Sequence, residues 1–259
     1  MSTWLMALLA FLSLVCGYVS LTFGGGYGLG VMPILFLMGF SVGEAVPAIL
    51  LAHLSMGLLA ALTHHRLKVA DFKWGSEDVK LALALCSSGS VGVLLAVLGQ
   101  VSLPELAVEA YVSLMVLSVG LALLAGLRIR VFNSGFSWKK AIPLALLASF
   151  NKGMGGGGYG PLLTGGQVLS GVGERKAIAI TCLSGATTCL IGFLAYLIAT
   201  GWASWELAFS LTIGASLSAP LSAYTVRKAD PRMLRTGMGV VITSLGLAMM
   251  VRMLLGSSA

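Results

Sequence analysis

Two glycine clusters, each containing a Tyr-Gly pair, are the features of this 259-residue sequence best suited to binding chemistry. The first is Gly24-Gly25-Gly26-Tyr27-Gly28, and the second is Gly155-Gly156-Gly157-Gly158-Tyr159-Gly160. A helix that begins at such a cluster has backbone N–H groups without intrahelical partners, and its dipole adds partial positive charge at that end. Glycine also lets the backbone approach a ligand closely. The two clusters therefore predict an anion site made of backbone.

Lys152, just before the second glycine cluster, indicates that the site carries positive charge and would bind an anion. Lys152 lies in an apolar stretch, where a cation is costly and usually marks a functional site. Asn151 beside it is able to donate hydrogen bonds to an oxyanion. A lysine that extends to the membrane surface, or that pairs with a carbonyl, is the alternative. Ser20 and Thr22 occupy the comparable place before the first cluster, so the site need not be symmetric.

Other polar residues within apolar segments are candidates for coupling or for a pathway. His53 lies in the middle of an apolar stretch, where it could carry a proton, bind ligand or pack through hydrogen bonds. Thr181 and Ser184 belong to a polar stripe that either lines a pathway or bonds back to its own helix. Glu44 and Glu174 precede apolar runs and are interpreted as helix caps or gate elements.

Composition indicates the elements that must position these residues. The chain is 58% hydrophobic and only 10% charged, against roughly 25% charged residues in a typical soluble domain. Apolar stretches at 4–40 and 141–172 contain the glycine clusters. Six further apolar segments are long enough to cross a bilayer as helices, and they run over about 45–63, 81–99, 106–127, 177–198, 206–226 and 233–255. We predict an all-α polytopic membrane protein that contacts lipid.

The basic residues in the short connections between these apolar segments predict the membrane topology. Basic gaps alternate with gaps that hold no basic residue, which fits the positive-inside rule with both termini outside. The second glycine stretch begins and ends next to basic residues, so it must enter and leave on one face. Its legs, 141–152 and 159–171, would be about 18–20 Å long, too short for a comfortable crossing. A re-entrant hairpin with its glycine tip near mid-membrane follows, and we expect the first stretch to form another from the outer face.

The two halves resemble each other in sequence and order. Gly-Gly-Gly-Tyr-Gly recurs, and Val42-Gly43-Glu44 recurs as Val172-Gly173-Glu174. Each half is a hairpin plus three spans, and because three is odd the second half is inverted. We predict a first repeat at 1–127, a cytoplasmic linker at 128–140 and a second repeat at 141–259, together one transporter domain.

Several classes are disfavoured. The net charge of +7 comes from residues in short gaps between apolar runs, so nucleic acid is not the expected partner. The four cysteines form no CxxC pair, and no metal or other cofactor is expected. No catalytic motif such as HExxH or GxSxG occurs, so an intramembrane enzyme is disfavoured. A cation transporter would need acids within its spans. Close packing by glycine and an anion channel with the same tips stay open.

Taken with the duplicated hairpins, two segments resemble the TauE/SafE sulfite-exporter family, also called the toluene-sulfonate uptake permeases. These segments are Thr63–Phe72 and Ile213–Pro220, the latter followed by Leu234-Arg235. The resemblance covers nearly the whole chain. It implies transport of a small sulfur-containing anion, such as sulfite, sulfoacetate or a related organosulfonate, across a bacterial cytoplasmic membrane. Export by alternating access around the two tips is the resulting hypothesis, and a homodimer is compatible with it.

Overall fold

A computed structural model describes residues 2–23, 26–125, 138–169, 172–201, 204–225 and 231–256. Within these ranges the structure is helical with short connections and has no β-strand. The helices of the described part are α1 (Thr3–Phe23), α2 (Tyr27–Leu37), α3 (Val42–Arg66), α4 (Glu77–Ser102), α5 (Glu105–Leu124), α6 (Trp138–Gly155), α7 (Tyr159–Leu169), α8 (Glu174–Thr200), α9 (Trp205–Thr225) and α10 (Pro231–Gly256). The predicted all-α class is confirmed.

The lengths of these helices match a multi-pass membrane protein. Five described segments are long and apolar enough to cross a bilayer, and they lie in α1, α3, α4, α5 and α8. The six spans predicted from the sequence coincide with α3, α4, α5, α8, α9 and α10 to within a few residues. By contrast, α2 and α7 have 11 residues each, about 16 Å of helix, and cannot cross alone.

Both short helices follow a break at a glycine cluster. Gly26 and Gly158, the residues immediately before α2 and α7, have φ of 119° and 82°, a backbone conformation that favours glycine. Gly156 has a φ of 70° and donates the last helical hydrogen bond of α6 to the Lys152 carbonyl at 2.8 Å.

The leg before the second break is longer than predicted. The prediction ended it at residue 152, but α6 continues to Gly155 and spans 18 residues, about 27 Å. The left-handed glycine ends this helix, whereas a lysine side chain is fully compatible with helical backbone. Lys152 therefore lies inside the last turn of α6 and not in the break.

The main helix–helix contacts correspond between the first five helices and the last five. α1 packs on α9 as α6 packs on α4, and α3 packs on α9 as α8 packs on α4. The pairs α3–α8 and α5–α10 complete the main contacts. Each pair maps onto another, or onto itself, when α1–α5 are exchanged in order with α6–α10.

Glycine gives equivalent pairs their close approach. A Cβ on Gly214 of α9 would overlap the Ala10 carbonyl of α1, and a Cβ on Gly92 of α4 would overlap the Leu146 carbonyl of α6. For these two glycines outside the clusters, close packing is therefore the correct interpretation.

Charged side chains at helix ends make contacts on both faces of the helix bundle. On one face, the Lys176 ammonium at the start of α8 lies 2.8 Å from the Asp78 carboxylate at the start of α4. On the opposite face, the Arg252 guanidinium near the end of α10 lies 4.9 Å from the ring centroid of Phe36 in α2. Arg252 does not fit the predicted charge alternation, and this cation–π contact is its partner in the fold.

Glu44 caps the helix that it was predicted to cap. Ser41 accepts a hydrogen bond from the Glu44 N–H at 3.3 Å, and the Glu44 carboxylate accepts one from the Ser41 N–H at 3.1 Å. The two form a capping box at the start of α3. The side chain of Glu174 lies outside the described residues.

Candidate functional site

The two glycine breaks meet inside the protein. A Cβ on Gly28, in the first turn of α2, would overlap the carbonyl oxygen of Gly156. A Cβ on Gly157 would lie 2.8 Å from the backbone nitrogen of Leu29. The starts of α2 and α7 are thus joined backbone to backbone, at a distance that no larger residue allows. Gly24 and Gly25 lie outside the described residues, and Gly160 is buried in the first turn of α7.

Lys152 lies beside this junction and is 0% exposed. Its ammonium donates a hydrogen bond to the carbonyl of Gly185 at 3.1 Å and lies 4.4 Å from the ring centroid of Tyr159. Gly185 is the twelfth residue of the 27-residue α8, about 17 Å along a helix of about 40 Å. The ammonium is therefore close to the middle of the span.

These contacts separate the two alternatives for Lys152. A side chain extending to the membrane surface is wrong, because the residue is fully buried. Pairing with a carbonyl is correct, and the Cys189 thiol is a further contact of the ammonium, but neither partner is a carboxylate. No ion pair joins Lys152 to a carboxylate anywhere in the described ranges. Its positive charge is thus not balanced by an acid of the described protein.

The two tyrosines fasten the tips to neighbouring helices. The Tyr27 hydroxyl bonds to Ser13 Oγ at 2.7 Å, and Ser13 donates to the Leu211 carbonyl at 2.6 Å. Because the Ser13 proton is used there, Tyr27 is the donor to Ser13. The Tyr159 hydroxyl donates to Ser184 Oγ at 3.0 Å. Both tyrosine hydroxyls therefore have protein partners, which holds the starts of α2 and α7 in place.

The two tips differ in their backbone N–H groups. Ser20 Oγ accepts a hydrogen bond from the Tyr27 N–H at 3.0 Å. The Tyr159 N–H has no such partner among the residues that the structure describes. The start of α7 therefore has a backbone donor next to Lys152 without a partner in the described structure, and the two tips are not equivalent.

Asn151 is oriented by a residue that the sequence analysis missed. The hydroxyl of Tyr111 in α5 donates to Asn151 Oδ1. The oxygen is thereby occupied, and the amide nitrogen lies near Gly158, 3.6 Å from the position of an added Cβ. Tyr111 is forty residues from Asn151 along the chain, and no local pattern in the sequence connects them.

His53 lies at the same junction, from the α3 side. Its ring is edge-on to Tyr27 with centroids 5.6 Å apart. Ile49, one turn earlier in α3, touches Gly156: a Cβ there would lie 2.9 Å from Ile49 Cγ2. His53 Nδ1 is buried and has no hydrogen-bond partner in the described structure. A packing role through hydrogen bonds, one of the sequence alternatives, thus finds no support at this nitrogen.

The remaining predicted pathway residues lie around the junction. Thr22 donates to the carbonyl of Tyr18 at 2.7 Å and so bonds back to its own helix. Thr181 Oγ1 accepts a hydrogen bond from Gln167 Nε2 at 2.8 Å, which links α7 to α8. Gln167 is 2% exposed and was not predicted. Ser184 is the partner of Tyr159, as described above.

Fold and site together define a polytopic helical membrane protein. Where its two interrupted segments converge, it buries a lysine that has no carboxylate partner among the described residues. The sequence matches the model of the family described as sulfite exporter TauE/SafE over residues 9–249, and the chain belongs to that family. It is therefore a multi-pass membrane transporter of the TauE/SafE type.

One curated relative agrees with this assignment. The chain is similar to the probable membrane transporter protein YtnM of Bacillus subtilis (strain 168), with 28% identity over 244 residues. The match covers 90% of this chain and 77% of the relative. No solved structure matches the chain.

Proposed function

We propose that this protein is a secondary transporter that moves a small sulfur-containing anion across the bacterial cytoplasmic membrane. Sulfite, sulfoacetate or a related organosulfonate is the substrate, and the two glycine tips with Lys152 form its site. The observation that carries the proposal is the Lys152 ammonium, fully buried at mid-span beside both tips and without a carboxylate partner in the described structure.

Electrostatics makes an anion the natural ligand. An ammonium without a carboxylate partner in a low-dielectric interior is costly, and a carbonyl, an aromatic ring and the Cys189 thiol offset only part of that cost. None of the nine acidic residues falls in the middle of an apolar stretch; they are Glu44, Asp71, Glu77, Asp78, Glu105, Glu109, Glu174, Glu206 and Asp230. A bound oxyanion would supply the missing negative charge and accept hydrogen bonds from the Tyr159 N–H and the Asn151 amide.

In this proposal the fold is an inverted repeat. Residues 1–127 form one repeat and 141–259 the other, joined by 128–140 inside the cell, and both termini face outward. The exchange pattern of helix packing, the equal lengths of α2 and α7 and the paired left-handed glycines support it. The α1–α2 and α6–α7 segments then act as re-entrant hairpins that enter from opposite faces.

Alternating access is the proposed mechanism, and the burial of Lys152 supports it. Lys152 is 0% exposed, which is consistent with a site closed to both faces in this conformation. Rocking of one repeat against the other would open it to each side in turn. On the basic face the Lys176–Asp78 ion pair bridges α8 and α4 and must separate or move when that side opens.

Export is the direction that the membrane potential favours. Moving one negative charge out of the cell gains about 2.3 kcal/mol per 100 mV. A monoanion leaving the cytoplasm therefore needs no coupled ion on energetic grounds.

Counterflow in proteoliposomes tests the proposed function. Vesicles loaded with unlabelled sulfite are expected to accumulate labelled sulfite transiently from outside, and sulfoacetate inside should support the same exchange. Protein-free vesicles give the background. Absence of counterflow with every sulfur oxyanion and sulfonate tried would contradict the proposal, and an anion current without saturable exchange would identify a channel.

A further inference from the structure

A second ionisable residue lies beside the Lys152 site and has no evident structural task. Lys152, in the last turn of α6, lies at the tip junction, and His53 is the twelfth residue of the 25-residue α3, far from either end of that helix. An ionisable residue within a membrane usually pairs with another polar group and marks a functional site. His53 Nδ1 is buried and unpaired in the described structure, and no hydrogen bond of its other ring nitrogen is found there either.

The geometry directs His53 toward the tip junction. Ile49 touches Gly156, and His53 is one turn further along the same face of α3. Lys152 is one turn before Gly156 in α6, so both residues lie one turn away from one contact. The Tyr27 ring at the start of α2 lies edge-on to the His53 ring, with centroids 5.6 Å apart, and the Lys152 ammonium is near enough to interact electrostatically with that ring.

Among the residues that the structure describes, the groups named around this pair include no carboxylate. α2 contributes Tyr27, and α6 contributes Lys152. α8 contributes the thiols of Cys182 and Cys189, both near the Lys152 ammonium, and the Cys189 thiol is in hydrogen-bond contact with it. α9 contributes Ser216, whose hydroxyl donates to Ser55 of α3 at 3.1 Å. Tyr111 of α5 is engaged with Asn151. A second positive charge beside Lys152 would be repelled, so this arrangement favours a proton on His53 only when a bound anion adds negative charge.

This arrangement balances one negative charge but not two. A monoanion at Lys152 gives a neutral pair, whereas a dianion leaves one uncompensated negative charge in a low-dielectric site. A proton on His53 would remove that excess. Resting on the proposed function, we infer that His53 takes up a proton when the site binds a dianion and stays neutral when it binds a monoanion. Both classes of substrate then move with a net charge of minus one.

Two sulfonates with matched carbon skeletons test this inference. Sulfoacetate is a dianion near neutral pH, and ethanesulfonate replaces its carboxylate with a methyl group. Titration calorimetry of purified protein in buffers of different ionisation enthalpy measures the protons taken up on binding. We expect about one proton per sulfoacetate bound and none per ethanesulfonate, so that sulfoacetate affinity rises as the pH falls.

The His53→Gln variant is the matched protein control, because glutamine donates hydrogen bonds but cannot take up a proton. Sulfoacetate affinity should fall roughly tenfold or more and its proton uptake should vanish, while ethanesulfonate affinity changes little. Sulfoacetate binding without proton uptake in the wild type, or equal losses for both ligands in the variant, would overturn the inference and leave the proposed function intact. If neither ligand binds the wild-type protein, the inference is overturned, and sulfite counterflow decides the proposed function separately.

Discussion

Replacing Lys152 with glutamine is expected to lower substrate affinity on the order of 100-fold and to abolish counterflow. The physical reason is that the ammonium supplies the formal positive charge of the site at mid-span, where water does not screen it. Truncating one partner of a buried, hydrogen-bonded charge pair costs about 2–5 kcal/mol. Equilibrium binding of sulfite or sulfoacetate to purified protein measures the effect.

Glutamine is chosen to limit the structural change, and a second substitution provides a matched control. Glutamine keeps a hydrogen-bond donor on this side chain while removing its charge, which limits the change to the packing of α6 on α8. Lys80→Gln removes an exposed lysine that is paired with Glu77 at 2.8 Å near the start of α4, and it should leave affinity unchanged. A folded Lys152→Gln protein with wild-type affinity would exclude Lys152 from the site.

Gly28→Ala is expected to disrupt the junction of the tips and to lower both thermal stability and transport severely. The added Cβ would overlap the Gly156 carbonyl, which is backbone and cannot rotate away as a side chain could. Overpacking a core typically costs about 1–3 kcal/mol, and a backbone overlap belongs at or above the upper end of that range. Thermal unfolding in detergent and counterflow in proteoliposomes provide the two readouts.

Gly43→Ala is the control for this change. Gly43 lies in the first turn of α3, and a Cβ there meets no atom within 4 Å. Its stability should be unchanged or raised by up to about 1 kcal/mol, because alanine is the better helix former. Wild-type stability and transport in Gly28→Ala would mean that the two tips are not held against each other as described.

Local sequence patterns predicted most of the helices and both breaks. Apolar runs located the spans because each must satisfy its own backbone hydrogen bonds in lipid, which leaves helix as the solution. The glycine clusters located both breaks, since Gly26 and Gly158 take the left-handed conformation. The end of α6 was misjudged because the sequence does not reveal which of several glycines turns first. Gly155 stays helical and Gly156 turns.

The site was only partly predictable, because its contacts are long-range. Lys152 and Asn151 were found from a charge and an amide next to a glycine cluster. Their partners Gly185 and Tyr111 are 33 and 40 residues away in sequence. Such pairs depend on how α5 and α8 pack around α6, and no periodicity within one helix encodes that.

Selenite, a close chemical analogue of sulfite, offers the most direct test of where the anion binds. Anomalous X-ray scattering from selenium in crystals grown with selenite would locate the anion without reference to the protein model. We predict a peak within hydrogen-bonding distance of Lys152 Nζ, between the start of α7 and the Gly28–Gly156 contact. A fully occupied peak elsewhere, such as at Lys176 on the basic face, with none beside Lys152, would contradict the account.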